Sequence, residues 1–513
     1  MSRRGSSQSP TCESPGVTKS RSSSAPESMP SSSQQGTSPS SSEARRPRSS
    51  ALRSAAGSRW GGPTTLLVAL LALAAALRVV GVRYGLPFGN LLNPDEQSIV
   101  PRAWKLVHGG GGDPHWFDYP TLLMYVNAPF QAWQSELSFL TARIVAIVLA
   151  VASVAATWWL GRRAYGPHAG AVAAAAAAVC TVHVAYSREA VTDIPLALGV
   201  AASLALMVSG RIELAGAAAG LATGFKYPGV FLVVPLVVAA WGAWRRLAAG
   251  VGLMIACFLA SSPFVLVHRR QALHDAFRVQ RRARQGWLGF EHDHAAPIAF
   301  VDRLWHGFGP VLIIAAVGLV FALVRRSRTD LVLASFVLVY FVDLLTLRAH
   351  FDRYVLPLVP PLAALAGRFR ALMPVTLLLL VVPLTWTIRD DKRLTRTDTR
   401  IVAAHWIEQH VPAGTHLATD PSTALVGRYR VLPLQLPAPW QPPDPNRDVK
   451  RLQRDGVRVV VATGAVADRV RAAADRYPRE VRFYDDLRRR GRLLYRIDAG
   501  AGRAGPWVAV YRL

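Results

Sequence analysis

Residues 64–84 read TTLLVALLALAAALRVVGVRY, an apolar run with no acidic residue and with arginine only as Arg78 and Arg83. A helix needs roughly 17–25 mostly apolar residues to cross the hydrocarbon core of a bilayer. This run meets that length, and ten more follow near 139–161, 168–186, 193–209, 212–225, 227–243, 247–267, 307–326, 330–347, 354–367 and 371–388. The pair at 212–243 also reads as one broken helix, because Lys226 and Pro228 interrupt it. The expected fold class is an α-helical polytopic membrane protein with about eleven transmembrane helices.

Upstream of the first run, residues 1–62 are rich in Ser, Pro and Arg. Such a composition cannot bury enough apolar surface to offset the entropy of ordering, so a disordered cytoplasmic tail is expected. No cleavable signal peptide is expected, because the first apolar run starts only near Thr64. Across 513 residues, 51% are hydrophobic, yet the formal net charge is +27. Apolar spans joined by basic connections reconcile the two. Nucleic acid is excluded as a partner, since the arginines sit beside spans or in the tail and no nucleic-acid motif appears; membrane lipid is the simpler partner. Cys12 lies in the tail, while Cys180 and Cys257 lie inside apolar runs, so no disulfide framework is expected.

With the tail inside, every second connection should be cytoplasmic and basic. Those connections carry Arg162 and Arg163, then Arg211, then Arg245 and Arg246, then Arg325, Arg326 and Arg328, then Arg368 and Arg370. The large outer loops then fall at 85–138 and 268–306, the second of them arginine-rich against the trend. An odd number of spans leaves residues 389–513 outside. That segment is polar and mixes a helix-like stretch, Ile401 to His410, with strand-like ones at Val457 to Val461 and Trp507 to Arg512. A small extracytoplasmic α/β domain is expected there. No inverted repeat of the kind many transporters show is visible.

Charge at membrane depth is costly, so ionisable residues at span ends are functional candidates. Asp95 and Glu96 follow Asn93-Pro94, Arg188 and Asp193 bracket a tight outer turn, Lys226 sits at an outer break, and Arg353 follows Asp352 in another outer turn. A carboxylate such as Asp95 can take a proton from an acceptor hydroxyl or amine. Lys226, Arg188 or Arg353 can hold a phosphate as negative charge builds on it. Plainer roles stand beside each. Asp95 and Asp193 also read as helix N-caps. Lys226 also reads as a snorkelling lysine, and Arg353 as a partner of Asp352. Glu291-His292-Asp293-His294 reads as a solvated loop, with no third spaced ligand, and Gly109 to Gly112 lacks the Lys-Ser/Thr ending of a phosphate loop.

At these residues the chain resembles the GT-C membrane glycosyltransferases, the group of protein O-mannosyltransferases and the lipid A aminoarabinose transferase, including bacterial phospholipid-carrier-dependent members. Asn93-Pro94-Asp95-Glu96 is similar to the family's acidic pair, and Asp118-Tyr119-Pro120-Thr121 to its juxtamembrane entry, where Phe117-Asp118-Tyr119-Pro120 replaces the common His-Pro-Pro. Ser187-Arg188-Glu189-Ala190 through Asp193-Ile194-Pro195, Gly224-Phe225-Lys226-Tyr227, Arg353-Tyr354-Val355-Leu356-Pro357, and Thr399 to Asp420 follow in family order. The resemblance implies a polyprenyl-phosphate-linked sugar donor and inversion at the sugar carbon. It implies catalytic roles for Asp95, Glu96 and Asp193, and donor-phosphate binding by Lys226, Arg353 and Arg188. The acceptor, whether glycan, lipid or protein, is left open. Many members need no metal; a divalent cation stays open and no metal ligands are assigned. The alternatives are a transporter or lipid flippase, which needs charges near mid-span, and a non-catalytic scaffold.

Overall fold

In the computed structural model, residues 63–424 and 427–513 are described. The tail expected at 1–62 lies outside them. Each of the eleven apolar stretches coincides with helix. Three helices are long and apolar enough to cross a membrane without a break: Phe139–Tyr165, Trp244–Ser261 and Arg370–Leu394. Two helix pairs meet the same criteria only when taken together across a bend, Pro167–Val179 with Thr181–Ser187 at 59° and Ala296–Phe308 with Val311–Arg325 at 117°. Asp193–Val208, Ile212–Phe225 and Tyr227–Ala239 are shorter apolar helices. The chain does not continue straight through Lys226. It is extended there (φ −153°, ψ 133°) and then folds back, so that a Cβ on Gly229 would lie 2.5 Å from the Thr223 backbone nitrogen.

The helices pack through small residues. Ala173, Ala174, Ala177 and Ala178 are wholly buried in Pro167–Val179. Gly216 and Gly220 of Ile212–Phe225 lie directly against the backbone of Gly250 and Met254 in Trp244–Ser261. Without a hydrophobic drive between helices in lipid, such close approach supplies van der Waals contact. The bend at Cys180 leaves carbonyls without intrahelical partners. Arg78 from the first span meets them, donating to Ala177 O and Ala178 O at 3.0 Å each and to Ser187 Oγ at 3.0 Å.

Beyond the last span the chain forms a small α/β domain. Its strands are β1 (Thr397–Asp398), β2 (His416–Thr419), β3 (Arg430–Pro433), β4 (Val459–Thr463), β5 (Arg492–Ile497), β6 (Arg503–Ala504) and β7 (Val508–Arg512). Five form one sheet in the order β3-β2-β4-β7-β5, parallel from β3 through β4 and antiparallel at β7. The central strand β4 is apolar on both sides because both faces are covered. Val459 and Val461 pack with Ile407 of the helix Thr399–His410, while Val460 and Ala462 pack with Phe483 and Leu487 of Pro478–Arg490. The strand-like stretches expected at 457–461 and 507–512 are β4 and β7, each displaced by one or two residues.

Candidate active site

Four of the six expected site residues meet at one end of the helix bundle. Asp95 precedes the helix Glu96–Val107, and its side chain makes no capping bond there. Instead its backbone N–H donates to Asn93 Oδ1 at 3.0 Å, which fixes the turn and leaves the carboxylate free to point elsewhere. Asp95 Oδ2 accepts from Arg353 Nη1 at 2.6 Å and from the Tyr119 hydroxyl at 2.9 Å. Burial alone would push the Asp95 carboxyl up. The Arg353 charge and hydrogen bond, the Tyr119 hydroxyl and the nearby Lys226 charge outweigh it and hold the carboxyl below its ordinary value.

Lys226 does not snorkel. It is 8% exposed, and its Nζ donates to Asp193 Oδ1 at 2.5 Å. That ammonium also lies 5.1 Å from the Tyr354 ring centre and 5.7 Å from that of Tyr119, within reach of cation–π attraction. Asp193 opens the helix Asp193–Val208, whose N-cap is Thr192. Its second oxygen, Oδ2, is buried without a hydrogen-bond partner among the described residues. Arg353 turns away from Asp352, which accepts from the Tyr186 hydroxyl at 2.5 Å and from the Arg353 backbone N–H. Two cations and two carboxylates therefore interlock as Asp95–Arg353 and Asp193–Lys226, with tyrosines around them.

Glu96 and Arg188 do not join this group. Glu96 accepts from Arg143 Nη2 at 2.6 Å and Nε at 2.9 Å, and both side chains are fully buried. Burial raises its carboxyl, against the opposing Arg143 contacts. Its remaining bond is from the Ala190 backbone N–H at 2.9 Å. Arg188 binds Asp391 Oδ1 at 2.6 Å and the Val80 carbonyl, tying the first and last spans together. In the same end of the bundle, Asn93 bridges Asp95 to Glu189, donating from Nδ2 to Glu189 Oε2 at 2.6 Å. Tyr119, Tyr354, Asn93 and Glu189 were not singled out from the sequence. Tyr119 lies in the segment similar to the family's juxtamembrane entry, and it places a hydroxyl on Asp95.

A cavity of about 780 Å³ opens beside the group. Tyr119, Lys226 and Tyr354 share its wall with apolar side chains including Val230, Phe231, Met254, Phe258, Leu273 and Phe277. Among the described residues, one cluster has the make-up of a metal site: ligand atoms of Asp113, His115 and His268 lie within 4.8 Å of one another. A hydrogen bond of 2.6 Å between His268 Nε2 and Asp113 Oδ2 already accounts for two of them. The Glu291 to His294 run does not converge: Glu291 accepts from the Tyr477 hydroxyl, His292 meets Asp475, and Asp293 meets His350 and Arg303.

Residues 120–268 match the family model of dolichyl-phosphate-mannose-protein mannosyltransferases. The matched segment includes Arg188, Asp193 and Lys226 and excludes Asp95, Glu96 and Arg353. No curated protein sequence matches the chain. Among solved structures, ArnT from Cupriavidus metallidurans in the apo state is 18% identical, with a TM-score of 0.56 over 87% of this chain and 98% of that one. The same protein bound to undecaprenyl phosphate is 17% identical, with a TM-score of 0.54 over 87% and 97%. The archaeal oligosaccharyltransferase AglB from Archaeoglobus fulgidus, in complex with an inhibitory peptide and a dolichol-phosphate, is 12% identical, with a TM-score of 0.53 over 83% and 72%. The family segment and these structural likenesses together show a GT-C-like fold.

Proposed function

We propose that the protein moves a sugar from a polyprenyl-phosphate donor to an acceptor hydroxyl or amine at the extracytoplasmic face, with Asp95 as general base. The observation that carries this is the interlocked Asp95–Arg353 and Asp193–Lys226 group beside a largely apolar cavity. An apolar tail suits the cavity wall, and a phosphate suits the two cations. Two of the similar structures hold undecaprenyl phosphate and dolichol-phosphate, which supports a donor of this class.

A carboxylate held down by Arg353 is a weak base. The donor phosphate changes that by competing for Arg353 and Lys226. As the guanidinium shifts toward the phosphate, Asp95 loses its strongest stabiliser and its basicity rises. Asp95 then takes the acceptor proton while the acceptor oxygen or nitrogen bonds to the anomeric carbon. The bond from that carbon to the phosphate oxygen breaks, and the leaving oxygen keeps the electron pair beside Lys226 and Arg353. Attack opposite the leaving group inverts the carbon. Asp193 keeps Lys226 charged and aimed. Glu96 supports the site through Arg143, and Arg188 acts through the span ends it ties together.

The arginines of the shorter connections, from Arg162 to Arg370, lie at span ends opposite this group. The positive-inside bias then puts the N-terminus in the cytoplasm and the site with its α/β domain outside. Asp95→Asn keeps the shape of the side chain and removes its capacity to take the proton. Transfer measured with purified protein in nanodiscs should fall by at least about a hundredfold, with an unchanged elution profile and thermal midpoint. Turnover equal to the unmodified protein would refute the role of Asp95.

A further inference from the structure

Between the helix bundle and the α/β domain lies a second cleft of about 880 Å³. One wall is the segment 285–296, the floor is 345–350, and the opposite wall is the proline-rich loop 435–444 with the start of Pro478–Arg490. We propose that this cleft binds a neutral carbohydrate chain that is the acceptor of the reaction, an inference that rests on the glycosyl-transfer reading.

Four properties of the cleft select that chemistry. Its lining carries four arginines and four carboxylates, so it favours neither an anionic nor a cationic ligand. Its half-buried aromatic members Trp287 and Phe290 offer flat apolar faces beside these polar groups, and a lipid acceptor would need a more continuous apolar wall. Gln285, Gln435 and Gln441 add side-chain amides, each with donors and an acceptor, which match sugar hydroxyls that also do both. Prolines 437, 439, 442 and 443 carry no backbone N–H, so this wall is poor in the donors that a peptide backbone in extended form would use.

The walls are tied in place before any ligand arrives. Tyr477 donates to Glu291 Oε1 at 2.6 Å, and the Trp287 and Trp440 rings lie 4.5 Å apart. The cleft also leads to the site. Phe290 and His350 line it and line a further cavity of about 720 Å³ that reaches Asp352. The donor cavity reaches the same turn at Tyr354. Two spaces thus arrive at the 352–354 turn that carries Arg353, as required when an acceptor must approach without passing through the donor.

The test uses the full chain in nanodiscs with tritiated polyprenyl-phosphate pentose and hexose donors. The acceptors are the polysaccharide, lipid and protein fractions of the source cell envelope, supplied separately. Label should enter the polysaccharide fraction. Gln285→Ala combined with Arg348→Ala alters two exposed cleft residues outside the catalytic group. That variant should need about tenfold more polysaccharide for half-maximal transfer, with an unchanged KM for the donor and an unchanged thermal midpoint. Transfer into lipid or protein, or an unchanged dependence on polysaccharide, would overturn the cleft's role while leaving glycosyl transfer standing. No transfer from any donor to any fraction would overturn both.

Discussion

Asp95 and Glu96 are neighbours whose carboxylates meet arginines of different kinds. Arg353 lies in a turn beside two cavities. Arg143 projects from the start of the helix Phe139–Tyr165, and both it and Glu96 are fully buried. Breaking such a pair on one side leaves an uncompensated buried charge, at about 3–5 kcal/mol. Arg143→Met should lower stability by that amount in thermal unfolding in detergent, and Glu96→Leu added to it should recover most of the loss. A double variant no more stable than Arg143→Met would show that the charge pair is not what holds this region. Glu189 carries a second consequence. Burial pushes its carboxyl up to about 8, with Glu96 and Asp352 adding to the rise and Asn93 and Arg353 opposing it. The folded protein then holds a proton there that the unfolded chain has lost. Stability should therefore fall as pH rises from about 4.5 to about 8. Glu189→Gln should flatten that slope and stabilise the protein most at the alkaline end, read as thermal midpoints across the range. A slope unchanged by the substitution would place the titration elsewhere.

The elements were legible where a single physical signal decides them. Apolar length located stretches that are helical; three of the described helices, or five with the bent pairs, reach the length and composition of a membrane span. Bends were not legible: nothing in Ala178-Val179-Cys180-Thr181 marks a 59° turn, since the carbonyls it frees are met by Arg78 from a hundred residues away. The same holds at the site. Asp95, Asp193, Lys226 and Arg353 could be picked because charge beside a span is rare. Their pairing could not, because Asp95 and Arg353 are brought together only by the packing of the bundle. That packing depends on glycine where two helices touch. A Cβ on Gly216 would overlap the Gly250 carbonyl, whereas a Cβ on Gly252, on the same facing helix as Gly250, meets nothing within 4 Å. Gly216→Ala should cost about 1–3 kcal/mol through separation of the helices. Gly252→Ala should be neutral or slightly stabilising, since alanine favours helix. Equal effects of the two in thermal unfolding would contradict close packing at Gly216.

On the scale of the whole molecule, the arginine-rich segment 268–306 broke the charge trend of the other connections. Three of its seven arginines have local partners. Arg278 pairs with Asp118 beside the cavity, Arg303 with Asp293, and Arg282 stacks over Trp440. The same segment joins the two halves of the protein. Leu288 is 1% exposed and belongs to the apolar core of the α/β domain, packed with residues such as Val466, Val470 and Tyr477. A loop of the bundle thus completes a core that the domain's own chain leaves open. Leu288→Ala should remove about 2–5 kcal/mol from the domain, by lost burial and a cavity. Because Trp287 on the neighbouring position holds Phe351, at 5.7 Å between ring centres, the loosening should pass to the turn bearing Arg353. Hydrogen exchange should therefore quicken at β4 and at 350–354 together, while the helix Phe139–Tyr165 keeps its protection. Faster exchange confined to the domain would mean that the two halves are mechanically independent at this joint.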